Sequence, residues 1–263
     1  MTQQTSRTNG FTLIELMLAM TFVSVLLLTI AMTVIQMGTT YNRGMTLKEV
    51  NQSARDISDS LRRSVQSAGV FAINADASDT ANYVTLVNSD NKVVSGRLCL
   101  GNSSYIWNTA SALEAEQAQK KVDDTLAHFL TSSNAVSETD INFVQIPDNG
   151  KVYCARDGDG ALVQKDITAA AAAQAKELLK PGDRTIRMLS FVVDTTDEAT
   201  DPSSGQQLYT VSYRLGTGET SAMEMGDDGT PTACLPPNDP NSNLTYCNVQ
   251  QFSIVLRAGN AVN

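Results

Sequence analysis

The sequence predicts an α+β chain: a long N-terminal helix, transmembrane in its first half and amphipathic in its second, packed on an antiparallel β-sheet head. Three observations carry this expectation. An apolar run of 22 residues, 16–37, lies within a stretch, 16–42, that has no charged residue. Beyond it Leu47, Val50, Ala54, Ile57, Leu61, Val65 and Ala68 recur at spacings of three and four, a single apolar stripe on a helix. After Gly69, short runs of alternating apolar and polar residues are separated by turn-forming clusters, the pattern of an antiparallel sheet.

Residues 1–10 read as a leader with one cation, Arg7, and no apolar stretch. A secretory signal would carry its apolar region before its cut. Here the apolar run follows Gly10. As a helix, 16–37 would be about 33 Å long, against a hydrocarbon core of about 30 Å. Glu15 stands at its mouth, either hydrated at the headgroup level or placed to meet a cation, since intramembrane ionisable groups are costly. A cut after Gly10 would leave the new α-amino group of Phe11 one helical turn from Glu15. Between chains staggered by about one turn, amine and carboxylate would pair in hydrocarbon and set register more than stability.

Gly10-Phe11-Thr12-Leu13-Ile14-Glu15, with its apolar run, resembles the class III signal of type IV pilins and type II secretion pseudopilins. That resemblance implies a type IV pilin-like fold: leader 1–10, transmembrane and assembly helix 11–68, and a β-rich periplasmic or extracellular head 69–263. It implies cleavage between Gly10 and Phe11 by prepilin peptidase, N-methylation of Phe11, and an assembly salt bridge through Glu15. The implied partners are other major and minor pilins, prepilin peptidase, an inner-membrane assembly platform and membrane lipid. The implied location is the inner membrane, single-pass with the head in the periplasm, and then the pilus or cell surface. The chain is longer than a major pilin, and its apolar helix lacks proline. Its size, Arg97-Leu98-Cys99-Leu100 and Gly216-Thr217-Gly218 look most like a PilW-like minor pilin that initiates a filament or sits near its tip. A secretion pseudopilin and a tip adhesin are the alternatives; an exposed aromatic cluster on the head would favour the adhesin.

Gly38 and Gly44 lie between the helix halves. They read as tolerated helical glycines, each costing about 1 kcal/mol relative to Ala, or as a bend used on entering a filament. Asp59 and Arg63 form a favourable i, i+4 pair, and Gly69 is a natural stop. Charge is uneven. Residues 1–68 carry six basic and four acidic side chains, leaving thirteen basic and twenty-four acidic ones in the head. Such a head is a poor surface for nucleic acid, because phosphate contacts need Lys and Arg.

In the head, Tyr83–Val87 and 92–100 flank a hairpin turn at Asn88-Ser89-Asp90-Asn91, and 104–108 is a third strand. The segment 112–130 reads as a helix from the spacing of Leu113, Val122, Leu126 and Phe129. His128, the only histidine, lies there without a Cys or carboxylate pattern and reads as structural. Segments 141–146 and 151–156 are strands joined at Pro147-Asp148-Asn149-Gly150, and 161–165 completes a meander. A second helix, 168–180, ends at Pro181-Gly182. Strands follow at 186–194, around Tyr209 to Leu215, and around Phe252 to Leu256; 194–205 and 226–243 are loops.

Cys99, Cys154, Cys234 and Cys247 allow three pairings, and none has zinc-like spacing. All lie beyond the membrane segment, where an oxidising compartment would join them. Cys234 and Cys247 bracket a Pro-rich loop of 12 residues whose closure is worth about 3 kcal/mol. By elimination Cys99 pairs with Cys154. From the pilin resemblance, the 234–247 loop is a candidate contact surface; its other reading is a staple. Asp157-Gly158-Asp159-Gly160 resembles part of a calcium loop but lacks the later carboxylate, so it reads as a β-turn. Asn102-Ser103-Ser104 and Asn243-Leu244-Thr245 are glycosylation triplets of a kind common by chance. There is no nucleophile elbow, HExxH, phosphate-binding Gly loop or Cys/His pair, so no enzyme, cofactor or metal is expected.

Overall fold

The computed structural model describes residues 12–73, 81–179, 185–195 and 207–259. The leader, the Gly10–Phe11 position, the stop at Pro181-Gly182 and most of the 194–205 loop lie outside these residues. Helix α1 runs without interruption over Leu13–Ser67, 55 residues and about 83 Å. Gly38 and Gly44 lie inside it, and a Cβ at either would meet nothing within 4 Å. Its stripe is buried at Val50, Ala54, Ile57, Leu61 and Val65, while Leu47 stays exposed.

The head follows in order: β1 (Tyr83–Val87), β2 (Val93–Cys99), β3 (Ser103–Asn108), α2 (Ala110–Gln119), β4 (His128–Leu130), β5 (Val136–Asp140) and β6 (Phe143–Pro147). Next come α3 (Ala169–Ala172), β7 (Lys176–Glu177), β8 (Ile186–Thr195), β9 (Leu208–Thr217), β10 (Met223–Met225), β11 (Pro231–Cys234) and β12 (Val249–Arg257). Among the described residues these form a five-stranded sheet β1-β2-β3-β6-β7 and a three-stranded sheet β12-β9-β8. Two small hairpins, β4–β5 and β10–β11, complete the set, and every strand pairing is antiparallel.

The buried half of α1 lies on an aromatic layer supplied by both main sheets: Tyr105, Trp107 and Phe143 from one, Phe191, Tyr209 and Tyr213 from the other. Trp107 and Phe191 have ring centroids 4.6 Å apart, and Phe143 and Phe191 5.4 Å. Full burial of an Ile, Leu or Val contributes about 1.5–3 kcal/mol, so the α1 stripe is the main hydrophobic bond between helix and head. Tyrosine hydroxyls add direction. Tyr213 donates to the Ala54 carbonyl at 2.7 Å and contacts the Ser58 hydroxyl at 2.7 Å. The Tyr105 hydroxyl meets those of Ser60 at 3.0 Å and Ser64 at 2.7 Å. Just past the helix, Tyr209 donates to the Phe71 carbonyl and accepts the Phe71 N–H. Gly96 faces Trp107 across the β2–β3 pair, and a Cβ at this position would overlap the indole.

Several sequence expectations are corrected. The predicted helix 112–130 stops at Gln119, where Lys120 turns left-handed at φ 50°. Asp123 then accepts the Thr125 N–H and hydroxyl, a local turn that competes with helix. Leu113 and Leu126 enter the same small core from separate segments, which imitates one helical stripe. His128 is therefore on a strand, and its partner β5 was not foreseen. Segment 151–156 is a 3-10 turn, Val152–Cys154, seeded by the Asp148 carboxylate accepting the Val152 N–H at 3.0 Å. The 161–165 strand reduces to a bridge between Arg156 and Leu162. The helix predicted over 168–180 survives as Ala169–Ala172. Glu177 accepts the N–H groups of Asn142, Phe143 and Leu179, which holds 176–177 on β6 as a strand. Loop 226–243 contains β11. Asp59 and Arg63 do not pair; among the described residues, ion pairs join His128 to Glu116 and Asp166 and Arg187 to Asp140.

Gly96→Ala is expected to lower stability by about 1–3 kcal/mol through overpacking. A urea transition whose midpoint falls with an unchanged slope would show it, and an unmoved midpoint would mean that Trp107 repacks freely. Tyr213→Phe keeps the ring and removes the bond to the helix, so about 1 kcal/mol should be lost in the same measurement.

Candidate functional site

The exposed half of α1 is the largest feature that the fold leaves unused. Residues 12–41 are exposed throughout, including Leu13, Ile14, Phe22, Val34 and Met37. This helix is long and apolar enough to cross a membrane: its best 18-residue window has mean hydropathy 2.5 and is wholly unburied. Its hydroxyls are satisfied internally. Thr21 donates to the Leu18 carbonyl, Ser24 to Met20, Thr29 to Leu26 and Thr33 to Thr29, all at 2.8–2.9 Å. Such back-bonding removes the desolvation cost that a bare hydroxyl would carry into lipid or a helix interface.

Glu15 is placed by the chain itself. Its carboxylate accepts the Thr12 N–H at 3.0 Å and the Thr12 hydroxyl at 2.9 Å, while Thr12 Oγ1 accepts the Glu15 N–H at 3.3 Å. This is a reciprocal capping box on the first turn of α1. Thr12 was missed in the sequence, although Thr-x-x-Glu before an apolar run is the capping signature. Gly10 and Phe11 lie outside the described residues.

Cys99 at the end of β2 is bonded to Cys154, and Cys234 at the end of β11 to Cys247; these are the pairs read from the sequence. The first ties the 3-10 turn to the large sheet. The second closes the Pro-rich loop beside β12. The Asp157 segment is a turn in which the Asp157 carboxylate accepts the N–H groups of Asp159 and Ala161. Among the described residues, no group of three or more His, Cys, Asp or Glu side chains could hold a metal.

His128 is not isolated, as the sequence suggested. Its Nε2 lies 2.8 Å from Glu116 Oε1, and its Nδ1 lies 3.5 Å from Asp166 Oδ1. The second contact is electrostatic, since Nδ1 makes no hydrogen bond, while the same Asp166 oxygen accepts the His128 backbone N–H at 2.9 Å. Asp166, and then Glu116, raise the imidazole above its ordinary value, against the opposing effect of burial. Burial pushes the Asp166 carboxyl up, but the His128 contacts and Lys165 outweigh it and hold it below the usual range. Asp123 and Asp140 stand nearby, the latter directly across the β4–β5 pair.

Arg97, singled out within its tetrapeptide, is fully buried. Its guanidinium donates to the Ser95 hydroxyl, the Gly96 carbonyl and the Lys165 carbonyl, and Nε has no partner. Burial pushes it down to about 10, so it remains a cation at neutral pH, with Asp166 and Tyr153 favouring the charge. Half-buried Glu116 and Asp166 thus flank the buried His128, and Asp166 also favours the charge of the buried Arg97.

The head carries no exposed aromatic cluster among the described residues; its one largely exposed aromatic side chain is Tyr246. No protein-family model, curated protein or solved structure matches the chain.

The His128 contribution to stability is fully present below pH 6.5, its ordinary value, and is lost as pH rises through the raised folded-state value. Titration of the single imidazole C2 proton by NMR should therefore give a midpoint above 6.5. His128→Gln should cost most stability below that midpoint, with the gap from wild type closing above it. A midpoint at or below the ordinary value would contradict this arrangement.

Proposed function

We propose that the chain is a minor pilin: a membrane-stored subunit cut after Gly10, N-methylated at Phe11 and assembled into, or used to initiate, a type IV pilus. The observation that carries the reading is the pairing of the Gly10-Phe11 … Glu15 signal with a helix whose N-terminal half is bare and whose C-terminal half is fixed in the head. A bare apolar half, with its hydroxyls satisfied internally, suits lipid before assembly and neighbouring helices after it. The rigid junction to the head suits a subunit that is moved as one body. On this reading the head stands in the periplasm before assembly and on the filament afterwards, and the subunit does no chemistry of its own.

The N-terminal mass of the protein from its own cells tests this directly. A first peptide beginning at methylated Phe11, and lost without prepilin peptidase, is expected. An intact Met1, or a cut near Ala31, would reduce the opening stretch to an anchor or a secretion signal.

Glu15 has two separable roles, the local cap and a pairing with a neighbouring subunit. Thr12→Ala removes the capping hydroxyl, at about 1 kcal/mol, and keeps the carboxylate. Glu15→Ala should leave membrane insertion intact and reduce incorporation into filaments far more than Thr12→Ala does. Equal losses in sheared filament fractions would assign Glu15 to the cap alone, and wild-type incorporation of Glu15→Ala would refute the pairing.

A further inference from the structure

Strand β12 ends its sheet: among the described residues it pairs with β9 alone. Open sheet edges are normally protected from other chains by charge, proline or a bulge. This edge has none of these over most of its length. Residues 249–256 carry no charge, Pro or Gly, and the ladder to β9 runs without a register shift. Gln251, Ser253 and Val255 are exposed, Val255 by 60%. On the opposite face Phe252 and Ile254 pack against the core yet stay only half-buried.

Helix α1 runs alongside this edge. Tyr213, whose ring stacks on Phe252 at 5.4 Å, contacts Ala54 and Ser58, and Gly259 just past the strand lies against the Gln66 carbonyl. Helical positions three and four apart share a side. Asn51, Arg55 and Arg62 therefore accompany Ser58 on the β12 side of the helix. Arg55 and Arg62 are exposed and make no ion pair among the described residues. Asp59, the nearest acid on the helix, lies farther round from Ser58 and pairs with neither.

We propose that the β12 edge and the Arg55–Arg62 flank of α1 together bind an extended acidic segment of another protein, which adds to the sheet as a strand. In strand addition the main chain supplies the ladder and alternate side chains supply specificity. Every second side chain of the added strand faces the α1 side. There it comes beside Phe252, Ile254 and the two arginines, and carboxylates suit guanidinium forks. A basic segment would bring like charges against that flank. The inference concerns the head and the half of α1 seated on it, and does not rest on the filament reading.

The test uses the full chain in a zwitterionic detergent and a peptide of alternating Glu and Val, about ten residues long. Its controls are the same peptide with every amide N-methylated, and a Lys–Val peptide. Saturable binding of the Glu–Val peptide alone is expected. It should weaken about tenfold when Arg55→Gln and Arg62→Gln are combined, with the fluorescence of buried Trp107 unchanged. Equal binding of the N-methylated peptide would overturn strand addition. Binding of the Lys–Val peptide, binding indifferent to the two arginines, or no binding would overturn the proposal as well. Two other occupants are checked in the same detergent, and either result replaces the proposal. Self-association in sedimentation that Val255→Lys abolishes would give the edge to a second copy. Peptide binding gained only after Asp197→Asn, Glu198→Gln and Asp201→Asn, positions outside the described residues, would give it to the chain's own acidic segment.

Discussion

The seating of the second half of α1 on the aromatic layer of the head is the contact on which the structure depends. Val50, Ala54, Ile57, Leu61 and Val65 supply non-directional attraction. Attraction of that kind would let a helix slide or rotate. The hydroxyls of Tyr105 and Tyr213 remove that freedom, because each meets groups on one turn of the helix, and Tyr209 fixes the chain immediately after it. Tyr105 belongs to the five-stranded sheet and the other two to the three-stranded one, so the helix also holds the sheets in register with each other. Tyr83 adds a direct link by donating to the Phe191 carbonyl on β8 at 2.8 Å.

That seating divides one continuous helix into two environments. A 55-residue helix is far too long to bury its first half in a head of this size, and residues 12–41 are exposed throughout. The exposed half has nevertheless met the requirements of an apolar surrounding, since its threonines and serine bond back to their own helix and its first turn is closed by Thr12 and Glu15. An apolar helix prepared in this way needs lipid or other helices around it. The filament reading supplies both in succession.

The head is held together differently. Disulfides fasten the 3-10 turn at Cys154 to the large sheet and close the Pro-rich loop ending at Cys247. Between α2, β4 and the 165–167 segment, fixation comes from charge. The half-buried carboxylates of Glu116 and Asp166 favour the protonated form of the buried His128, and Asp166 favours the buried Arg97 cation. Removing one member of such a set leaves an uncompensated charge, which makes these side chains more exacting than apolar residues of equal volume.

Local patterns were legible in the sequence. The apolar run, the amphipathic stripe and the long alternating strands around Phe191, Tyr213 and Ile254 each follow from a period that one element imposes on itself, and the cysteine pairing followed from loop closure. Several misreadings fell where side chains act across distance. The Ala-rich segment at 168–180 has helical propensity, but Glu177 finds three backbone N–H groups on and beside β6 and becomes strand. Leu113 and Leu126 share a core from two segments, and the carboxylates that surround His128 come from positions 12 and 38 residues away. The capping partner of Glu15 was local and could have been read. The sequence by itself determined the long helix, its membrane-length apolar run and the long alternating strands, because periodicity and propensity act within a few residues. Only the tertiary structure decided which polar groups around His128 and Arg97 meet, because those partners are brought together by folding and leave no spacing in the chain.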